Sequence, residues 1–260
     1  MVRYTVDPDS APHYQFLSPD QSSVEQKDSL RDLGVMLSSD LNFSLQVEKV
    51  VTTASQMVGW GMRTFRGRGS YLLITLFKSL VQPHLDYCGQ LWCPSAQQDI
   101  AKIEKVQKSL VSRIRDSRLK GLSYWDKLKT LKMYSQERRR ERYIVIFIWK
   151  VSQGLVTGYD INFTLNDCRT GRKAIPATVV RSAPASVRKA RESTLSVRGV
   201  QLFNTLPIQL RNSDHGDVEM FKNHLDIYLS SIPDEPTMPG LVRAAKTNSL
   251  LDQKPDFDIV

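Results

Sequence analysis

SLQVEKVVTTASQMVGWGMRTF, residues 44–65, decides the fold class, because there the apolar period changes from two to 3.6. Val47, Val50, Val51, Ala54, Met57, Val58, Gly61, Met62 and Phe65 share one helical stripe, as in a helix that buries one face. Glu48 near the start suits the macrodipole, and Gly67 and Gly69 mark the stop. Downstream, the spacing predicts a helix from a Ser70 N-cap through Leu73, Leu76, Phe77 and Leu80, ending before Pro83. A third is expected from Ser95, with Gln98 completing a capping box, along Ile100, Ile103, Val106, Leu110, Val111 and Ile114. Three amphipathic helices with short connections imply a helical bundle.

Upstream of this bundle, Asp7-Pro8-Asp9 and Ser18-Pro19-Asp20 are turn chemistry. His13, Tyr14, Phe16 and Leu17, then Leu33-Gly34-Val35-Met36-Leu37, are short strand candidates. They are too few for a sheet of their own and read as the edge of something larger. Beyond the bundle, a short helix fits residues 123–131 behind Ser123, and another fits 135–152. The latter opens with Gln136-Glu137-Arg138-Arg139-Arg140-Glu141-Arg142 and turns apolar over Tyr143–Trp149, as a buried core helix would. Residues 159–200 carry strand-like Ile161–Leu165 and Thr178–Val180, interrupted by Pro176 and Pro184. Further helices are expected near 198–206, stopping at Pro207, and over 217–230, and the tail from Pro233 is expected to be disordered. The fold class is therefore mainly α: a helical bundle behind a short β-hairpin, then a smaller mixed α/β region. The boundaries fall at 1–40, 41–115, 116–232 and 233–260.

With 41% hydrophobic and 24% charged residues in 260, the chain can bury a core. No apolar run approaches the ~18–20 residues of a membrane span. MVRYTVDPDS has no signal-peptide pattern, so an intracellular chain is expected, in cytoplasm or nucleus. Cys88, Cys93 and Cys168 are too few for a disulfide framework. The net charge of +9 is concentrated: residues 101–150 hold 15 basic and 5 acidic side chains, and 151–200 hold 8 and 3. A basic centre between acidic ends points to a polyanion partner.

Catalytic chemistry finds no foothold. His13, His84, His215 and His224 are scattered, and Cys88-x4-Cys93 lacks a second ligand pair, so no metal site is expected. There is no nucleophile elbow, no phosphate-cradling glycine loop and no adjacent Asp pair for two-metal phosphoryl transfer. No catalytic residue, cofactor or small-molecule substrate is assigned. Binding is the remaining class. Lys102, Lys105, Lys108, Arg113 and Arg115 lie on or beside the polar face of the third helix, and Arg138, Arg139, Arg140 and Arg142 crowd a helix start. Guanidinium forks suit phosphates. A packing alternative stays open, with Glu137 and Glu141 pairing to Arg138–Arg142 while the stems cover a core. Trp60, Trp92, Tyr124 and Trp125 could stack bases or fill the core.

Arg31-Asp32-Leu33-Gly34-Val35, Asp40-Leu41-Asn42-Phe43, Lys78-Ser79-Leu80-Val81-Gln82-Pro83-His84-Leu85-Asp86-Tyr87-Cys88 and Leu91-Trp92-Cys93-Pro94 form an ordered series. Ile103-Glu104-Lys105-Val106-Gln107-Lys108, Leu131–Arg140, Leu202-Phe203-Asn204-Thr205-Leu206-Pro207 and Phe221-Lys222 continue it. Together these strings resemble the part after the palm in non-LTR retrotransposon reverse transcriptases of the jockey-like and chicken-repeat-like clades, over most of residues 24–232.

The resemblance implies that residues 1–40 are a palm remnant, with Leu33 and Gly34 at the tip of a primer-grip-like hairpin. It makes 44–115 a helical thumb presenting Arg63, Arg66, Lys102, Lys105, Lys108 and Arg113 to template–primer, and the rest a C-terminal region that binds RNA and DNA. The family polymerises with two Mg²⁺ held by palm aspartates, and no position here matches that motif. The expectation is a polymerase fragment that binds nucleic acid but does not polymerise alone, with a palm-and-fingers partner. A domesticated nucleic-acid-binding or protein–protein adaptor module is the other reading.

Overall fold

The 3.6 period that begins at Ser44 becomes α1, Ser44–Thr64, whose buried face includes Val47, Val50, Ala54, Val58 and Gly61. The structure is a computed structural model that describes residues 27–39, 42–94, 96–156, 166–167, 173–174, 192–212, 217–235 and 248–253. It is mainly helical. Ahead of α1, β1 (Ser29–Asp32) and β2 (Val35–Ser38) form an antiparallel hairpin with Asp32 opposite Val35. The strand candidates at His13–Leu17, Ile161–Leu165 and Thr178–Val180 lie outside the described residues. A two-residue ladder, β3 (Asn166–Asp167) with β4 (Lys173–Ala174), falls between the latter two.

The hairpin turns on two residues, Leu33 at φ 43° and Gly34 at φ 89°. A two-residue turn with both φ angles positive matches the right-handed twist of the strands it joins. Glycine adopts this freely; leucine does not, and Leu33 is also 84% exposed. The loop is held from outside: Tyr87 Oη donates to Leu33 O (2.8 Å), Lys49 Nζ to Gly34 O (3.3 Å), and Met36 N to Gln46 Oε1 (2.8 Å).

Pro83 does not end the second helix. Residues 70–86 run continuously as α2 (Ser70–Leu76), a π-helical turn (Phe77–Val81) and α3 (Gln82–Asp86). A proline inside an α-helix removes one N–H and collides with the carbonyl four residues back. The wider turn relieves this, since Gln82 N bonds back to Phe77 O. Ser70 is not the cap either; Gly69 is. The third helix, α4 (Gln97–Val111), starts behind Ala96, and the expected Ser95 cap lies outside the described residues. Where a serine does cap, at α5 (Tyr124–Thr130) and α6 (Gln136–Ser152), Ser123 and Ser135 accept from Asp126 N and Arg138 N.

Two apolar cores result. The first gathers Val35, the buried face of α1, Leu73, Phe77, Val81, Leu85, Trp92, and Ile103, Val106 and Leu110 of α4. The second joins Ile144, Val145, Ile148 and Trp149 of α6 to α7 (Val200–Asn204), α8 (Ile208–Asn212) and α9 (Val218–Ser230). Trp149 stacks on Phe221 with ring centres 4.6 Å apart. The expected disorder from Pro233 onward does not extend to 248–253: Asn248, Ser249 and Leu250 are buried. Among the described residues no helix is long and apolar enough to cross a membrane.

The hairpin tip makes a stability prediction. Leu33→Asn replaces a residue that resists positive φ with one that tolerates it, and should raise unfolding free energy by about 1 kcal/mol. Urea denaturation checks this; unchanged or lower stability would show that Leu33 has a compensating contact.

Candidate nucleic-acid interface

Helices α1 and α4 lie side by side and run the same way. At their starts, Ser44 Oγ donates to Asp99 Oδ2 (2.6 Å) and Lys102 Nζ to Glu48 Oε1 (3.3 Å); past their ends, Arg115 N donates to Arg68 O (2.7 Å). Two helix C-termini therefore share one end of the pair, and their carbonyl dipoles favour cations there. Some of the cations that gather serve as caps. Arg68 donates to Met62 O (2.9 Å) and Phe65 O (2.5 Å), and Arg113 to Ser109 O (2.6 Å). Arg118 pairs with Asp116 at 2.7 Å, and its hydrogen bonds hold that carboxyl well below the usual carboxylate range.

Arg63, Arg66, Arg115 and Lys120 remain exposed at this end, with no ion pair among the described residues. Trp60, 44% exposed, stands on the last turns of α1, and Tyr71, 86% exposed, on the first turn of α2 beside Ser70, which accepts from Arg118 (3.4 Å). Cations with exposed aromatic faces match the requirements of a backbone-tracking, base-stacking surface.

The remaining expected contacts divide. Lys105 and Lys108 are exposed on α4, with Lys108 5.6 Å from the Tyr124 ring centre. Lys102 is held between Asp99 (3.0 Å) and Glu48 (3.3 Å), one cation to two carboxylates, so its charge is not available to an external anion. Lys120 and Tyr71 were not singled out from the sequence, because only the parallel packing of α1 and α4 brings their loops together.

The arginines of α6 are all engaged by protein partners, and Arg138 and Arg140 are buried away from any external phosphate. Arg138 is fully buried and donates to Pro233 O (3.0 Å), Asn248 O (3.1 Å) and Gln253 Oε1 (2.7 Å). Arg140, 4% exposed, donates to Leu85 O (3.1 Å) and lies 4.3 Å over the Trp92 ring, which makes Trp92 a core residue. Arg139 forks onto Asp86 (3.2 and 2.9 Å), and Arg142 onto Asp226 (2.5 and 2.7 Å). This half of α6 is enclosed on several sides, so its charges meet protein partners first. Nor do Glu137 and Glu141 pair with these arginines. Glu137 accepts from Asn248 N (2.8 Å); Glu141 accepts from Ser249 Oγ (2.6 Å) and Leu250 N (2.7 Å) and pairs with Arg198 (3.2 Å).

Enclosure shifts the acids. Burial pushes Glu137 up to about 7, with the neighbouring Glu141 adding to the effect. Burial likewise raises Glu104 to about 7, against the bonds it accepts from Tyr124 Oη and Gln136 N. Burial raises the Cys93 thiol. Among the described residues no three His, Cys, Asp or Glu side chains come together as a metal site.

Two predictions follow from this network. Arg138→Ala leaves buried carbonyls without their donor and should cost about 3–5 kcal/mol in urea denaturation; a loss under ~1 kcal/mol would mean the site is wet. Glu104 binds its proton more tightly folded than unfolded, so its stabilising contribution is full below about pH 4.5 and is lost as pH rises through about 7. Glu104→Gln should therefore flatten the stability–pH curve by roughly 1–3 kcal/mol across that window. An unchanged slope would place the titration elsewhere. The chain matches no family model, no curated protein and no solved structure.

Proposed function

We propose that this chain binds a polynucleotide backbone through the shared C-terminal end of α1 and α4, as the thumb-like and C-terminal part of a non-LTR retrotransposon reverse transcriptase that does not polymerise alone. The observation that carries the reading is the set of exposed cations Arg63, Arg66, Arg115 and Lys120 beside Trp60 and Tyr71 at one end of a parallel helix pair. Such a surface binds phosphates with little regard to sequence. The strained Leu33–Gly34 tip supports the primer-grip-like assignment, since backbone strain collects at functional turns.

Leu30, Leu33, Tyr87 and Leu91 are exposed around the hairpin, 42%, 84%, 54% and 56% respectively. They favour a second role for that edge: a surface that meets another polypeptide, either a palm-and-fingers partner or, in the adaptor reading, an unrelated one.

The test is affinity for a labelled RNA–DNA primer–template across salt, with primer extension followed in the same samples. Binding should weaken steeply with salt, without extension. Replacing Arg66, Arg115 and Lys120 by glutamine should reduce the log–log salt slope by about 2–3, at roughly 0.9 per phosphate contact. No binding at low salt would overturn the polynucleotide reading, and extension would overturn the non-polymerising one.

A further inference from the structure

Arg139 and Arg142, the α6 arginines that are not fully enclosed, line a pocket of about 230 Å³ together with Lys78, Lys132, Gln82 and Gln107. The pocket sits where the two cores meet and is separate from the basic end of α1 and α4. Its charge does not balance. Asp86 offsets Arg139 at 2.9 Å and Asp226, also in the lining, offsets Arg142 at 2.5 Å. Lys78 and Lys132 are exposed and make no ion pair among the described residues, which leaves two positive charges in excess. The backbone is irregular at both lysines. Lys78 stands on the π-helical turn, and Lys132 takes a left-handed conformation at φ 52°. Both have causes in the fold: the π-helical turn accommodates Pro83, and Lys132 closes the C-terminus of α5, where Met133 N donates to Leu128 O (2.9 Å).

We propose that this pocket binds a terminal phosphate. A phosphomonoester carries about −1.5 to −2 near pH 7 and matches the excess, whereas an internal phosphodiester carries a single charge. The volume, below the ~300–1,000 Å³ of a typical small-molecule site, suits a phosphoryl group without its nucleoside. Lysine supplies point charges that follow a tetrahedral anion, while the paired arginines keep the rim in place. The phosphate has two sources with this chemistry, the 5′ end of a polynucleotide and a small free phosphate. The first rests on the polynucleotide reading above; the second does not.

The experiment compares one short oligoribonucleotide bearing a 5′-phosphate with the same strand ending in a 5′-hydroxyl, using the full chain, and titrates inorganic pyrophosphate by calorimetry. The phosphorylated strand should bind at least about tenfold tighter. Lys78→Gln with Lys132→Gln should abolish that preference while the thermal melt stays in place, since both side chains are exposed. Replacing Arg66 and Arg115 by glutamine should weaken both strands equally and keep the preference. Pyrophosphate binding that is lost in the lysine variant, without a strand preference, assigns the pocket to a free phosphate and leaves it standing even if the basic end fails. Equal affinity for both strands together with no pyrophosphate binding overturns the proposal, as does a preference that survives in the lysine variant.

Discussion

Everything in this molecule is arranged around the problem of burying charge at the start of α6. Taking ionised side chains out of water is costly, and it is tolerated only where each finds a partner of matching geometry. Arg138, Arg140, Glu137 and Glu141 are all nearly or fully buried, and their partners come from separate stretches of chain: Leu85 O, Pro233 O, residues 248–253 and Arg198, while Arg138 Nη1 and Arg140 Nε have no hydrogen-bond partner among the described residues. Arg139 and Arg142 add Asp86 and Asp226 at the margin. Directional bonds to so many separate segments specify how the two apolar cores meet, in a way that nondirectional apolar contact would not.

The same economy governs the basic end of α1 and α4. Two parallel helices place two sets of unsatisfied carbonyls together, and the resulting negative potential recruits cations. Arg68 and Arg113 satisfy the carbonyls, so the further cations at that end have no such task. A surface with more cations than its own structure uses is poised for an external anion, which is the physical basis of the proposed polynucleotide contact. A larger groove of about 710 Å³, which adjoins the smaller pocket through Lys132 and Asp226, sets Lys129 and Lys132 against Asp126, Asp226, Asp234 and Glu235 and is net negative, so it does not favour such a ligand.

Legibility followed interaction range. The stripe beginning at Val47, the break at Gly67–Gly69, the caps at Ser123 and Ser135, and the helix over 218–230 can be read from neighbours three or four residues apart. The reading failed where a local signal competes with a distant one. Pro83 normally stops a helix, yet a π-helical turn absorbs it. Leu33 would be an unexpected choice for a positive-φ turn, yet Tyr87 and Lys49 hold the loop from the far side. The arginines over 138–142 look like a solvated cationic patch because a sequence shows how many charges there are and conceals what surrounds them.

The sequence by itself determined that this is a mainly helical chain with a short hairpin, where most of its helices lie apart from the run through Pro83, and that its positive charge is concentrated in the middle. Those properties depend on local periodicity and composition, which a linear string carries in full. Tertiary structure alone decided which cations face outward. It sent Arg138 and Arg140 into the seam between the cores, engaged Lys102 with two acids, and brought Arg66, Arg115 and Lys120 to one end of a helix pair. The reason is that a charge's role depends on its desolvation and its partners, and both are set by segments up to 115 residues away, as between Arg138 and Gln253.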